Sequence, residues 1–258
     1  MRADKYFADK YGSRTKAAEA IEKGLVLVNG ATIRTKDEVR ETDVITFVKA
    51  EQSFVSNGGY KLARAIETFD FSCKDKVFVD IGASTGGFTD CLLQNGAAKI
   101  YAVDVGESLL HESLVGNDKI VRMENTNARY LTKEDFPEKI DAVVTDVSFI
   151  SLRLIFPAIK SILGDFGEAF VLIKPQFECE KKNIGKSGIV HPSAHTQIVK
   201  KVLDFAEDNG LYPFGIVNAP VRKGKNIEYV LHIKIKQEGA LSTAQTVNTL
   251  QRLLQELK

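Results

Sequence analysis

Between Val79 and Thr89 the chain reads Val-Asp-Ile-Gly-Ala-Ser-Thr-Gly-Gly-Phe-Thr, an apolar run holding one acid that gives way to a glycine-rich turn. Glycine lets a backbone come close to a ligand, and the start of the next helix offers free N–H groups to it. The segment predicts a nucleotide-like ligand, with a tight turn that binds nothing as the alternative for any glycine-rich loop standing alone. Here it does not stand alone. Asp104 ends the next apolar run at about the spacing where a carboxylate accepts hydrogen bonds from ribose hydroxyls. Asp146 follows Ala-Val-Val-Thr at 142–145, and Lys174 follows Phe-Val-Leu-Ile at 170–173. In open α/β sheets the carboxyl ends of the strands form the ligand edge, so Gly82, Asp104, Asp146 and Lys174 should converge in space. Glu228, inside the apolar stretch 227–231, and Lys61, after Gly58-Gly59-Tyr60, would complete a Lys-Asp-Lys-Glu set. Each of these two charges alone reads as solvated.

Two cofactor classes use this layout. The spacing Gly82-x-x-x-Gly86-Gly87 does not fit the dinucleotide pattern G-x-G-x-x-G, whose third glycine admits close helix packing around a pyrophosphate. S-adenosylmethionine has no phosphate and carries a cationic sulfonium, for which Asp80 is a suitable neighbour. It is favoured over NAD.

The elements that must position these residues are legible as a change of pattern along the chain. Ala3, Phe7, Ala8 and Tyr11 recur at helical spacing up to Gly12, and Ser13 or Thr15 can cap a second helix that carries Ala17, Ala18 and Ile21 as far as Gly24. Residues 25–28 are β-prone, Asn29-Gly30 signals a hairpin turn, and Ile33 and residues 44–48 supply further short strands. This α+β unit ends near Ala50. From Lys76 onward, apolar runs at 77–81, 100–103, 142–144 and 169–173 alternate with helical stretches, the signature of a mostly parallel sheet covered on both faces. Residues 212–217 and 227–235 look like a closing antiparallel pair. Val247, Leu250, Leu254 and Leu257 form one helical stripe, expected to pack on the domain, with contact to a second copy as the alternative.

Composition bounds the function. The 258 residues are 44% hydrophobic and 27% charged, which excludes disordered and low-complexity classes and allows one large domain plus a small one. No apolar run approaches the ~18 residues of a membrane span, and the first residues carry Arg2, Asp4 and Lys5 with no apolar run behind them, so the expectation is a cytoplasmic chain. Three separated cysteines, Cys73, Cys91 and Cys179, exclude a paired disulfide framework and a C-x-x-C metal knuckle. His191 and His195 lack a third ligand nearby, so no metal is expected. The net charge of +1 gives no general attraction to nucleic acid, so RNA affinity would need a local patch.

Five segments in order carry a resemblance that covers essentially the whole chain: residues 56–62 (SNGGYKL), 80–89 (DIGASTGGFT), 145–151 (TDVSFIS), 172–178 (LIKPQFE) and 226–229 (NIEY). Together they resemble the TlyA family, haemolysin-labelled proteins whose better supported activity is S-adenosylmethionine-dependent ribose 2′-O-methylation of cytidine in ribosomal RNA. Residues 13–17 and 24–30 similarly resemble the alpha-L RNA-binding motif. The resemblance implies a Rossmann-like methyltransferase domain with a mostly parallel seven-stranded sheet at 59–258, a linker at 51–58 and an RNA-binding domain at 1–50. It implies FtsJ-like catalytic roles for Lys61, Asp146, Lys174 and Glu228. Cofactor contacts are expected from Asp80, Gly82, Ala83, Ser84, Thr85, Gly86, Gly87, Phe88, Asp104, Asn127 and Asp146. RNA contacts are expected from Arg14, Lys16, Lys23, Lys182, Lys186, Arg222 and Lys223, with ribosomal RNA or a ribosomal subunit as partner. Asn57 and Asn125 stand where the family usually carries arginine, which removes phosphate or base contacts. Two other readings compete: an RNA-binding protein with a degenerate methylase half, and a membrane-lysing haemolysin.

Overall fold

The computed structural model describes residues 1–22, 25–47, 53–221 and 224–256. The chain divides into two compact units, Met1–Ser53 and Phe54–Lys258.

In the first unit, α1 (Ala3–Tyr6), α2 (Ala8–Tyr11) and α3 (Arg14–Glu22) precede β1 (Val26–Val28), β2 (Ala31–Thr32) and β3 (Ile45–Phe47). The single helix expected over residues 3–11 is interrupted at Phe7, whose backbone (φ −93°, ψ 3°) leaves the helical region. Gly12 ends α2 in the left-handed conformation at φ 79°, and Ser13 Oγ accepts from the Lys16 N–H. Asn29 and Gly30 both have positive φ, the requirement of a tight primed hairpin turn, and β1 lies central between β2 and β3, antiparallel to both. Ile33 falls just past β2, because the pairing ends at Thr32. Ala3, Phe7, Ala17, Ile21, Val26, Val28 and Val39 form the core of this unit. The expected helix stop at Gly24 and strand residue Val48 lie outside the described residues.

The second unit is a seven-stranded sheet in the order β6-β5-β4-β7-β8-β10-β9. Its strands are β4 (Val77–Ile81), β5 (Lys99–Val103), β6 (Ile120–Met123), β7 (Ala142–Thr145), β8 (Glu168–Ile173), β9 (Tyr212–Asn218) and β10 (Tyr229–Lys234). β10 runs antiparallel to both of its neighbours, and the β4, β5, β6, β7 and β8 pairings are parallel. Successive strand residues face opposite sides, so the sheet feeds two cores. Phe78, Ile100, Ala142, Val144 and Phe170 face α4 (Asn57–Thr68) and α5 (Gly87–Gln94). Val79, Val103, Val143 and Val171 face α6 (Phe156–Leu163), α8 (His195–Asp208) and α9 (Thr243–Glu256). A short helix, α7 (Pro175–Glu178), follows β8 directly. The α9 stripe turns Leu250 fully inward, with Val247 and Leu254 packed against the same core.

Three features depart from the sequence reading. The chain from Phe54 to Gly58 lies in the second unit, and α4 begins at Asn57, inside the stretch expected as a linker. β6 was not foreseen. Glu228 sits one residue before β10 rather than inside it, since the pairing with β8 begins at Tyr229↔Ile173.

Candidate active site

Strand order reverses between β4 and β7: the chain leaves β4 for β5 on one side and later places β7 on the other. A crevice opens at such a point, beyond the carboxyl ends of the strands. A cavity of about 330 Å³ lies there, walled by Gly82, Ser84, Asp104, Thr126, Asn127, Arg129, Asp146 and Ser148 together with apolar side chains that include Val105, Leu109 and Ile155. A smaller one of about 140 Å³ adjoins it through Gly82, Ser84, Asp146 and Ser148 and reaches Ser56, Gly58, Ala83, Thr85, Gly87, Phe88 and Lys174.

The glycine turn makes this space. Gly82 has φ +81°, and a Cβ there would stand 3.2 Å from the Asp146 backbone oxygen, so the β4 turn and the β7 turn touch through a bare backbone. Asp104 holds the next stretch: its Oδ2 accepts from the Ser84 N–H at 2.8 Å and its Oδ1 from the Gly106 N–H at 2.9 Å. Asp80 is fully buried below the turn, its Oδ2 accepting from Thr89 Oγ1 at 2.6 Å and its Oδ1 without a partner. Burial pushes the Asp80 carboxyl up to about 7; the Thr89 bond opposes this, and the charges of Asp146 and Asp104 add to it.

Of the other expected cofactor residues, Gly86 lines neither cavity. A Cβ on it would meet Leu114 Cδ1 at 2.4 Å and Leu110 Cδ2 at 2.9 Å, so its role is to let the 110–114 loop pack closely. Asn127 lines the larger cavity, and its side chain accepts from the Arg129 N–H. Asn125 takes φ 52°, a left-handed conformation that asparagine tolerates better than arginine does.

The four charges expected to act together do meet. Lys174 Nζ lies 2.6 Å from Asp146 Oδ1 and 2.7 Å from Ser148 Oγ. Lys61 Nζ lies 3.5 Å from Asp146 Oδ2 and 2.7 Å from Glu228 Oε2. The Lys174–Asp146 contact is a close ion pair whose angle departs from a hydrogen bond. Gln176 Nε2 donates to Glu228 Oε1 at 3.3 Å, which ties the far end of the row to α7. The order Lys174, Asp146, Lys61, Glu228 alternates in sign, and Lys174 is the most enclosed of the four. Because β10 is antiparallel, its first residue lies at the edge where the parallel strands end, and this is how Glu228 reaches the site. Lys61 and Glu228 open onto a third cavity of about 740 Å³ shared with Asn57, Tyr60, Gln176, Pro220, Lys225 and Asn226.

Ser56, Ser148, Gln176 and Tyr60 were not singled out from the sequence. A polar residue in a loop carries no periodicity, and only the motif segments 56–62, 145–151 and 172–178 that contain them gave a signal. Among the expected RNA contacts, Arg14 is ion-paired with Asp4 at 2.8 Å, Lys182 with Glu180 at 2.9 Å, and Lys16 and Lys186 are exposed. Lys23, Arg222 and Lys223 lie outside the described residues. His195 is buried, with Nδ1 2.7 Å from the Tyr229 phenol oxygen, and no group of three metal-ligating side chains occurs among the described residues.

A doubly wound sheet with a glycine turn, an acid ending β5 and a lysine–carboxylate row at the same edge defines a Rossmann-like methyltransferase. Residues 54–235 match the FtsJ-like methyltransferase family, residues 1–45 match the S4 domain, and the chain belongs to the FtsJ-like methyltransferase family. YqxC of Bacillus subtilis, provisionally named an rRNA methyltransferase, is 40% identical over 95% of this chain and 88% of its own length. TlyA of Mycobacterium tuberculosis, named a 16S/23S rRNA (cytidine-2′-O)-methyltransferase, is 36% identical over 95% of this chain and 92% of its own. A solved structure from Streptococcus thermophilus, provisionally named a hemolysin, is 35% identical with a TM-score of 0.72 over 100% of this chain and 98% of that one. No helix among the described residues is long and apolar enough to cross a membrane.

Proposed function

We propose that the chain transfers the methyl group of S-adenosylmethionine to the 2′-hydroxyl of a cytidine ribose in ribosomal RNA. The observation that carries this reading is the Lys174–Asp146–Lys61–Glu228 row, joined by contacts of 2.6–3.5 Å beside the glycine-turn crevice.

The residues present fit the donor. The crevice gathers Asp104 and Asp146 on its wall and Asp80 beneath it, with an unpartnered buried carboxylate oxygen, an arrangement suited to a cation. Among the described residues, Arg129 is the one cation on the wall of the larger cavity, which is a poor match to a pyrophosphate. When bound, S-adenosylmethionine supplies an electrophilic methyl carbon. Asp104, already oriented by two backbone N–H groups, would hold the donor ribose; Gly82, Ala83, Ser84, Thr85, Gly87 and Phe88 would pass their backbone along the donor, and Asn127 would close the larger cavity.

A ribose hydroxyl is a poor nucleophile, so the chain must align it and take its proton. Lys174 lines the 140 Å³ cavity beside Asp146 and Ser148, which that cavity shares with the larger one, and it is the group assigned to that proton. An ammonium has no lone pair. Lys174 must therefore give up a proton before accepting one, and the row through Asp146, Lys61 and Glu228 leads from it to the open 740 Å³ cavity. Asp146 also fixes both ammonium groups in place, and Glu228 holds Lys61. Arg14, Lys16, Lys23, Lys182, Lys186, Arg222 and Lys223 are the proposed phosphate contacts, with ribosomal RNA or a ribosomal subunit as the partner. The test is single-turnover methylation of ribosomal RNA by the wild-type chain with the modified atom mapped. Label on a ribose 2′-oxygen supports the reading, and label on a base or none at all overturns it.

A further inference from the structure

Glu178 is a buried carboxylate that the chemistry above does not use. It ends α7, four residues after Lys174, and this spacing brings both side chains to one side of the turn. Both reach across to the same loop, the one that leaves β7 at Asp146. Lys174 Nζ donates to Ser148 Oγ at 2.7 Å. Glu178 Oε2 accepts from Ser151 Oγ and Oε1 from the Leu152 N–H, each at 2.7 Å. The other end of the loop is held by the Asp146 N–H donating to the Ile81 backbone oxygen at 3.1 Å. Between these anchors Phe149 sits at φ 61° with 91% of its surface exposed. A non-glycine residue in that conformation is strained; its ring meets only solvent and Phe177 of α7, 5.0 Å away between centroids, so the fixed flanks help to hold it there.

We propose that Glu178 is a positioning residue for methyl transfer, which pins the 147–151 loop so that Ser148 stays within reach of Lys174. The inference rests on the catalytic reading of Lys174. Its own support is geometric: two short bonds from one carboxylate to consecutive residues, and a strained segment between them and the site. Burial pushes the Glu178 carboxyl up, while the Leu152 and Ser151 bonds and the Lys201 charge oppose this, which is the balance of a group kept in an enclosed place by its partners.

The experiment compares Glu178→Ala, Glu178→Gln, Ser148→Ala and the Glu178→Ala/Ser148→Ala double variant in the full chain, by calorimetry with S-adenosylmethionine and by single-turnover methylation of ribosomal RNA. A misplacement of about 1 Å can cost ~100-fold in rate, so Glu178→Ala should slow the step by roughly 10- to 100-fold while donor affinity stays within ~3-fold. Gln can accept from Leu152 and donate to Ser151, so Glu178→Gln should stay within ~3-fold of wild type. If Glu178 acts through Ser148, Glu178→Ala and Ser148→Ala should slow the step alike at unchanged donor affinity, and the double variant should add nothing further. If Glu178→Ala does not fold, Ser151→Ala, which removes one of the two bonds, is read in its place. A wild-type rate in Glu178→Ala, a loss in Glu178→Gln as large as in Glu178→Ala, or additive effects in the double overturns the positioning role while a dead Lys174→Met leaves the catalytic reading intact. Methylation by Lys174→Met at wild-type rate overturns both.

Discussion

At the scale of single residues, Lys174 and Asp80 divide chemistry from stability. Methionine keeps the stem of Lys174 and removes its nitrogen, so Lys174→Met should lower single-turnover methylation by ~100- to 10,000-fold and leave donor affinity nearly unchanged by calorimetry. Asp80 affects stability through its proton. Its folded value of about 7 lies above the ordinary 3.8, so the folded chain binds more protons across that window, and this group's contribution to stability falls as pH rises through it. Unfolding by urea between pH 4.5 and 7.5 should show Asp80→Asn with a flatter downward slope than wild type; an unchanged slope would remove Asp80 from that role. The sequence exposed Lys174 because it ends an apolar run and Asp80 because it interrupts one, and a charge has no place in either position unless it serves the ligand edge. Glu178 and Gln176 gave no such sign, since their partners become neighbours only when β7, β8 and β10 lie side by side.

At the scale of elements, the glycine turn and the entry to α4 are the sensitive pieces. Gly82→Val adds a branched side chain at φ +81° against the Asp146 backbone, which should cost ~1–3 kcal/mol and abolish donor binding in the same titration. Gly86→Val is strained too, at φ +88°, but its side chain meets Leu110 and Leu114 away from the crevice, so donor affinity should fall by less; the reverse ranking would contradict the placement of the crevice. At the other piece, the Val55 N–H donates to Asp90 Oδ2 at 2.8 Å and a Cβ on Gly59 would stand 2.2 Å from the Phe54 ring, so residues 54–58 belong to the fold they lead into. A chain beginning at Gly59 should melt several degrees below one beginning at Phe54, as a loss of ~1–2 kcal/mol at a domain this size would give. Equal melting temperatures would show that the segment is dispensable. The parallel strands were legible because burial on both faces makes unbroken apolar runs of them. β6 was not, because an edge strand whose residues are only partly buried, with Arg122 exposed among Ile120, Val121 and Met123, leaves no such run.

At the scale of the whole molecule, the two units invite a division of labour between holding RNA and modifying it. Removing residues 1–53 should leave S-adenosylmethionine affinity close to wild type in calorimetry and weaken ribosomal RNA binding, with a smaller dependence on salt because fewer phosphates are neutralised. An unchanged salt slope would take the anchor away from the first unit. The change from short helices and strands to alternating βα runs marked two units in the sequence, whereas the placement of residues 54–58 depended on side-chain fits at Gly59 and Asp90 that no local pattern announces. The site itself is assembled from positions 61, 146, 174 and 228, and the antiparallel β10 delivers the last of them. During synthesis the first unit is therefore complete 175 residues before Glu228 is added, which at ~5–20 residues per second is roughly 10–35 s. On the proposed division of labour, a nascent chain passes through a period in which it can engage RNA and cannot yet alter it, so methyl transfer begins only once the sheet has closed around its final strand.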